Sequence, residues 1–294
     1  MKLKSLALGL GLALVACLPL SAQVTYSFTD VPFPGDTFIQ LLAVNRTGEI
    51  AGYHSATSFS GFTYSKGVFT TENFPGSAQT QVIALNNKGN TGGFYIDDHG
   101  VTHGFLDTSG KFTTVDYPKT PFNQILGRNT LGQAAGYYSI NPNGTGPFVP
   151  YIYDTSGVFL VITLPGGSSA QATGINDLQQ ICGFYFDSKG VQHGFLIDSG
   201  MLSVLNFPHS TGTQALGLNN VGQVVGSYTL KDGTTHGFVW KSGKFQTVDD
   251  PNGIGFTFVN GINDKGELAG FWMPSATTST GFYALPAGTA TDLE

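Results

Sequence analysis

Residues 213–251 read TQALGLNNVGQVVGSYTLKDGTTHGFVWKSGKFQTVDDP, and the fold follows from this stretch. Thr213 to Asn219 reads as a first strand. Asn220-Val221-Gly222 is a turn, because Asn and Gly supply backbone angles that other residues resist. Gln223 to Thr229 is a second strand, and Asp232-Gly233 makes a hairpin turn. Thr235 to Trp240 is a third strand, closed by Ser242-Gly243. Phe245 to Asp249 is a fourth, stopped by Pro251, which cannot donate to a ladder. A four-stranded meander of roughly 43 residues is the unit of a β-propeller blade when it recurs in tandem.

It does recur. Asn45…Gly48…Gly52-Tyr53 returns as Asn86…Gly89…Gly93-Phe94 and Asn129…Gly132…Gly136-Tyr137. Asn176…Gly183-Phe184 follows, with Gln179 in place of the middle Gly, then Asn219…Gly222…Gly226 and Asn263…Gly266…Gly270-Phe271. The asparagines are 41, 43, 47, 43 and 44 residues apart. A second landmark keeps step: Gly61-Phe62, His103-Gly104-Phe105, Pro150-Tyr151, His193-Gly194-Phe195, His236-Gly237-Phe238 and Gly281-Phe282. A third is an aromatic or apolar residue before Pro, at Phe74, Tyr117, Leu164 and Phe207, with Asp250-Pro251 in the fifth unit.

Phe28 to Gly35 aligns with Phe69 to Gly76 at a constant offset of 41, so the region near 24–33 is a fourth strand without its first three. The last unit runs through three strands to about Leu285. The expectation is an all-β, six-bladed β-propeller of four-stranded antiparallel blades, the last closed by the N-terminal strand. Such an overlap removes two open sheet edges. Thr289 to Leu293 is the alternative fourth strand, although it lacks the Phe.

Composition agrees. Charged residues make up 11%, Gly 41 residues and Phe 23. Aromatics at 13% exclude disorder. A net charge of −6 without a basic cluster excludes nucleic acid as a partner. Beyond residue 22 no apolar run approaches the roughly 20 residues of a membrane span. Lys2 and Lys4, the apolar Leu6 to Leu18 and the small pair Ser21-Ala22 read as a signal peptide over 1–22, leaving 23–294 as one propeller domain. This places the chain outside the cell or in the periplasm. Leu14-Val15-Ala16-Cys17 offers the alternative of a lipid anchor at Cys17. Cleavage after Ala22 leaves Cys182 as the lone cysteine, so no internal disulfide forms. Cys182 takes the place of Val225 and Ala269 in sister units and reads as a small buried apolar residue.

With these residues in view, the chain resembles the HAF-repeat family of bacterial extracellular repeat proteins, named for a His-Ala-Phe-like triplet. Its triplets are His103-Gly104-Phe105, His193-Gly194-Phe195 and His236-Gly237-Phe238, with companion segments Gly174-Ile175-Asn176 and Gly261-Ile262-Asn263. Units one, three and six depart, carrying Ser60, Pro150 and Thr280 around the place of His. The resemblance implies export and repeat architecture. It implies no activity, so no catalytic residue is carried over.

The three triplet histidines fall one per blade at equivalent places, which argues against convergence on one metal ion. Each is expected to pack or hydrogen-bond beside its Gly-Phe strand. His54, His99 and His209 are expected to be solvated loop residues. Asp107, Asp154 and Asp198 are placed at the turn after the third strand, and Asp97, Asp98, Asp187 and Asp232 in the hairpin after the second. Asp30, Asp116 and Asp249 end fourth strands, and Asp177 and Asp264 lie beside the Asn of the first turn. Repetition explains these as turn chemistry, leaving no pair for general acid–base work. No catalytic, metal or cofactor residue is assigned, although turn carbonyls would accommodate a structural calcium ion.

Connections after second and fourth strands vary in length, at Ser55–Ser60, Ile140–Phe148 and Met273–Ser279. They share one face, which is expected to carry any ligand contact together with the channel mouth. Phe59 and Phe148 would there favour a sugar or a protein partner. The function expected is therefore an exported, non-catalytic, monomeric binding propeller for a glycan, cell-envelope polymer or protein partner. A propeller hydrolase or lyase acting at the central channel is the alternative.

Overall fold

The structure, a computed structural model, describes residues 23–287. The signal-peptide reading of 1–22, Cys17 and the alternative strand at 289–293 lie outside the described residues. The described residues form twenty-four strands and no helix. None of them offers a helix long and apolar enough to cross a membrane.

Strand β1 (Tyr26–Asp30) precedes the first complete unit, β2 (Phe38–Val44), β3 (Ile50–Ser55), β4 (Phe59–Ser65) and β5 (Val68–Thr71). The second is β6 (Gln79–Leu85), β7 (Thr91–Ile96), β8 (Thr102–Thr108) and β9 (Lys111–Val115). The third is β10 (Phe122–Arg128), β11 (Ala134–Ser139), β12 (Phe148–Tyr153) and β13 (Phe159–Val161). The fourth is β14 (Gly167–Ile175), β15 (Ile181–Asp187), β16 (Gln192–Asp198) and β17 (Met201–Leu205). The fifth is β18 (Gly212–Leu218), β19 (Gln223–Thr229), β20 (Thr235–Lys241) and β21 (Lys244–Val248), within about a residue of the sequence reading. The sixth supplies β22 (Thr257–Ile262), β23 (Leu268–Ser275) and β24 (Thr278–Pro286).

Each unit pairs as an antiparallel meander. In the sixth, β1 lies antiparallel on β24 from Tyr26 opposite Pro286 to Asp30 opposite Phe282. The N-terminal strand thus occupies the fourth-strand place that the 41-residue offset assigns to it. Its packing follows the same repeat: Phe28 meets Phe282 edge-on at 5.1 Å. Val31, in the position of Val115, Leu205 and Val248, is buried as they are.

The core sits between neighbouring units rather than within one. Val225, Val239 and Val248 of the fifth pack on Val259, Ile262 and Phe282 of the sixth. Across the chain ends, Ile39, Leu41 and Ile50 pack on Ala269, Tyr283 and Leu285. Each unit drives one ring fully inside: Phe62, Phe105, Tyr151, Phe195, Phe238 and Phe282. Burying such a ring contributes about 2–3 kcal/mol. In five of the six units the residue before it is a close-approach glycine, with Pro150 in the third. At Gly237 a Cβ would stand 2.4 Å from Val248 O and 2.5 Å from Val259 Cγ2.

Every first strand carries a β-bulge at the same place, between Leu41 and Ala43, Val82 and Ala84, Ile125 and Gly127, Ala172 and Gly174, Ala215 and Gly217, and Val259 and Gly261. A bulge inserts one residue without a cross-strand partner and re-aims it. Those residues are Leu42, Ile83, Leu126, Thr173, Leu216 and Asn260.

Candidate functional site: an axial channel

The six bulged residues meet around the common axis of the units. Together with Gln40, Gln81, Gln171, Tyr53 and Phe184 they enclose a cavity of about 190 Å³. The glutamines lie two residues nearer the strand starts than the bulge, so they form the outer wall and the bulged residues the floor. Glutamine recurs at this place in five units, at Gln40, Gln81, Gln124, Gln171 and Gln214, with Phe258 in the sixth. An aromatic faces it on the second strand in most units: Gln40 opposite Tyr53, Gln81 opposite Phe94, Gln124 opposite Tyr137, Gln171 opposite Phe184.

Two of these pairs are locked. The Tyr53 hydroxyl donates to Gln40 Oε1 and that of Tyr137 to Gln124 Oε1, each at 2.6 Å. Burial pushes both phenols well above their ordinary pKa, so they stay neutral. Gln81 and Gln171 make no side-chain hydrogen bond among the described residues. Of the expected aromatics, Phe59 and Phe148 are half-buried strand starts rather than loop residues. Phe59 packs on Tyr53 at 5.1 Å, and Phe148 on Tyr137 at 4.9 Å. They buttress the wall from behind.

Below the floor the first strands of neighbouring units approach one another closely: a Cβ on Gly127 would lie 2.7 Å from Gly174 Cα, and one on Gly261 2.8 Å from Ala43 Cα. The axial space continues there as a further cavity of about 80 Å³, lined among others by Gly127, Gly174 and Gly261. The far opening is ringed by the repeat asparagines. Asn45, Asn86, Asn129, Asn176 and Asn219 each donate from Nδ2 to the backbone carbonyl of the next, at 3.5, 3.0, 3.1, 2.9 and 2.9 Å. Asn263 Nδ2 completes the circle to Asn45 O at 2.8 Å. Each Oδ1 also takes backbone N–H groups of its own turn, as Asn176 does from Leu178 at 3.1 Å and Gln180 at 2.9 Å. Asp177 and Asp264 sit beside this ring as expected, accepting N–H groups of Thr130 and Asn220 at 2.7 and 2.8 Å.

The triplet histidines lie away from the axis in half-buried aromatic piles. His103 Nδ1 meets Asp116 at 2.6 Å, His193 Nδ1 meets Asn206 at 2.8 Å, and His236 Nδ1 meets Asp249 at 2.8 Å. Their rings lie 5.0, 5.2 and 5.3 Å from Tyr95, Tyr185 and Tyr228. Phe74 and Phe207 of the preceding units stack on Tyr95 and Tyr228 at 3.8 and 3.5 Å. The third and second sequence landmarks are therefore two halves of one clasp between units. A constant spacing of thirteen residues from His to Asp or Asn was the signal that reading missed.

Two further expectations are corrected. His54 is not a solvated loop residue. It lies in β3, meets Asp36 at 2.5 Å and stacks on Phe33 at 3.5 Å, completing the clasp across the chain ends. Asp107 is not in the turn after the third strand. It lies inside β8, one position earlier than Asp154 and Asp198, and is buried opposite Thr91. His99 and His209 are exposed, as expected. Cys182 is fully buried and its thiol is pushed up to about 12 by burial.

Asp107 belongs to a buried polar set that sequence reading also missed. Arg128 Nη1 donates to Thr91 O at 2.7 Å and Asp107 O at 2.5 Å, and Nη2 to Thr108 Oγ1 at 2.7 Å. The Thr91 hydroxyl donates to Glu72 Oε1. Sister positions of Glu72 hold Val31, Val115, Ile162, Leu205 and Val248, and those of Arg128 hold Val44, Leu85, Ile175, Leu218 and Ile262. Burial pushes the Glu72 carboxyl up to about 7, against the pull of the Thr91 hydroxyl.

No family model and no curated protein matches the chain. Solved structures do. A TolB-like protein from Agrobacterium tumefaciens aligns with TM-score 0.59 at 11% identity, over 76% of this chain and 88% of that one. AofleA from Arthrobotrys oligospora gives 0.55 at 13% identity, over 92% and 88%. The Aleuria aurantia lectin, a six-bladed β-propeller that recognises fucose, gives 0.50 at 12% identity, over 87% and 99%. The chain is an all-β repeat protein whose fold is shared with six-bladed propellers, lectins and TolB among them. At these identities the likeness concerns the fold alone.

Proposed function

We propose that this chain is an exported, non-catalytic recognition propeller of six four-stranded blades, closed by β1, that binds a glycan or glycan-bearing envelope polymer at its axial mouth. The observation that carries this reading is the mouth itself, where glutamine amides and aromatic rings stand over a floor of four aliphatic side chains, Thr173 and Asn260. Amides offer both donors and acceptors to hydroxyl groups. Aromatic rings offer apolar faces to the C–H surfaces of a sugar. Apart from the Tyr53 hydroxyl, the cavity walls carry no ionisable group, which gives recognition precedence over general acid–base catalysis at this site. The sugar-binding propellers among the structural neighbours lend the same fold to the same task. Export rests on Lys2, Lys4 and the apolar run to Leu18, with Cys17 as the alternative anchor, and the His-Gly-Phe triplets support a place among HAF-repeat proteins. The test is a glycan and envelope-polymer array probed with purified residues 23–294, with and without calcium. Specific, saturable binding to a subset of glycans is expected. Uniformly blank arrays in both conditions would sink the reading.

A further inference from the structure

Resting on that reading, we propose that the axial cavity takes the neutral terminal ring of a saccharide, one sugar ring per chain, entering end-on along the axis. The volume sets the first limit. About 190 Å³ is well below the roughly 300 Å³ at the lower end of drug-sized pockets, so a single ring enters and the rest of the glycan stays outside.

The walls set the charge. No Asp, Glu, Lys, Arg or His lines the cavity. An ionised sugar would lose its hydration there without a counter-charge, which disfavours it against a neutral one.

The floor sets the orientation. Three sister positions hold Leu42, Leu126 and Leu216, whereas the sixth unit places Asn260 there. Its Oδ1 is buried with no hydrogen-bond partner among the described residues. A buried acceptor left unmade is destabilising, and rotation of the amide about its last torsion would turn it to a hydroxyl of the inserted ring. Thr173, the other polar floor residue, already donates to Ala215 O at 2.9 Å. Asn260 is therefore the floor side chain that lines the cavity and carries an unused amide acceptor. Gln81 and Gln171 are the wall amides not held by a neighbour, and Phe184 faces Gln171 with its ring. Because five walls differ from the sixth, the site is single rather than sixfold, even though the scaffold repeats six times.

The experiment is calorimetric titration with neutral methyl glycosides of common hexoses and deoxyhexoses, and with methyl glucuronide. The expected result is one site per chain for at least one neutral glycoside, none for the uronide, and little change between low and high salt. Asn260→Leu installs the residue of three sister blades, so it folds, with an unchanged or higher melting temperature. It is expected to weaken binding about tenfold, the loss of one hydrogen bond to a buried acceptor. Gln171→Ala acts in the same direction, and Leu178→Ser, at the opposite opening, leaves binding unchanged. A stoichiometry near six, preference for the uronide, or full affinity in both Asn260→Leu and Gln171→Ala overturns the axial site. Array binding that survives those two variants sinks this inference alone, whereas a blank array for the wild type removes the recognition reading beneath it.

Discussion

Among single residues, Glu72 is the one most out of keeping with its repeat. Four sister blades place a buried aliphatic where its carboxyl sits, and its neutral form is favoured by burial. Its folded pKa of about 7 exceeds the unfolded value of 4.5. The folded state therefore binds more protons than the unfolded state between these values, and stability falls as pH rises through that window. The full effect is about 3 kcal/mol. Glu72→Gln is expected to flatten the profile, so that wild type loses stability between pH 5 and pH 8 while the variant does not; chemical denaturation at both pH values measures it. Equal slopes would mean that Glu72 stays ionised beside Arg128.

Among elements, the first turn of each unit matters more than its length suggests. An asparagine there both holds its own turn and ties the next unit through Nδ2. Asn176→Ala leaves the N–H groups of Leu178 and Gln180 and the carbonyl of Asn219 without these partners. The expected loss is about 3 kcal/mol, readable by urea denaturation, and Asn176→Asp is expected to rescue the turn but not the link to Asn219. A loss under about 0.5 kcal/mol in Asn176→Ala would show that the ring contributes nothing net.

For the whole molecule, closure depends on β1. Deleting residues 23–31 exposes the edge of β24 and uncovers Phe282 and Tyr283. An unpaired edge invites pairing between chains. The truncated protein is expected to melt at lower temperature and to self-associate, and light scattering alongside the melt reads both. Unchanged melting would place the closing contacts elsewhere.

The sequence by itself determined the number of units, the four strands of each and the partnering of the two chain ends, because turns are local and strand periodicity is carried by neighbouring residues. It also determined the buried place of Cys182 and the hydrogen-bonded packing of His103, His193 and His236 beside their strands. The tertiary structure alone decided which residues line the axis. A bulge adds one residue without altering composition or spacing, so nothing local marks Leu42, Thr173 or Asn260 as inward-facing. The same holds for the asparagine ring, the His-to-Asp clasps and the Glu72–Thr91–Arg128–Asp107 set, whose partners lie on different strands or different units. Asp107 shows the limit most plainly: a register difference of one residue moves a carboxylate from a solvated turn to the buried core.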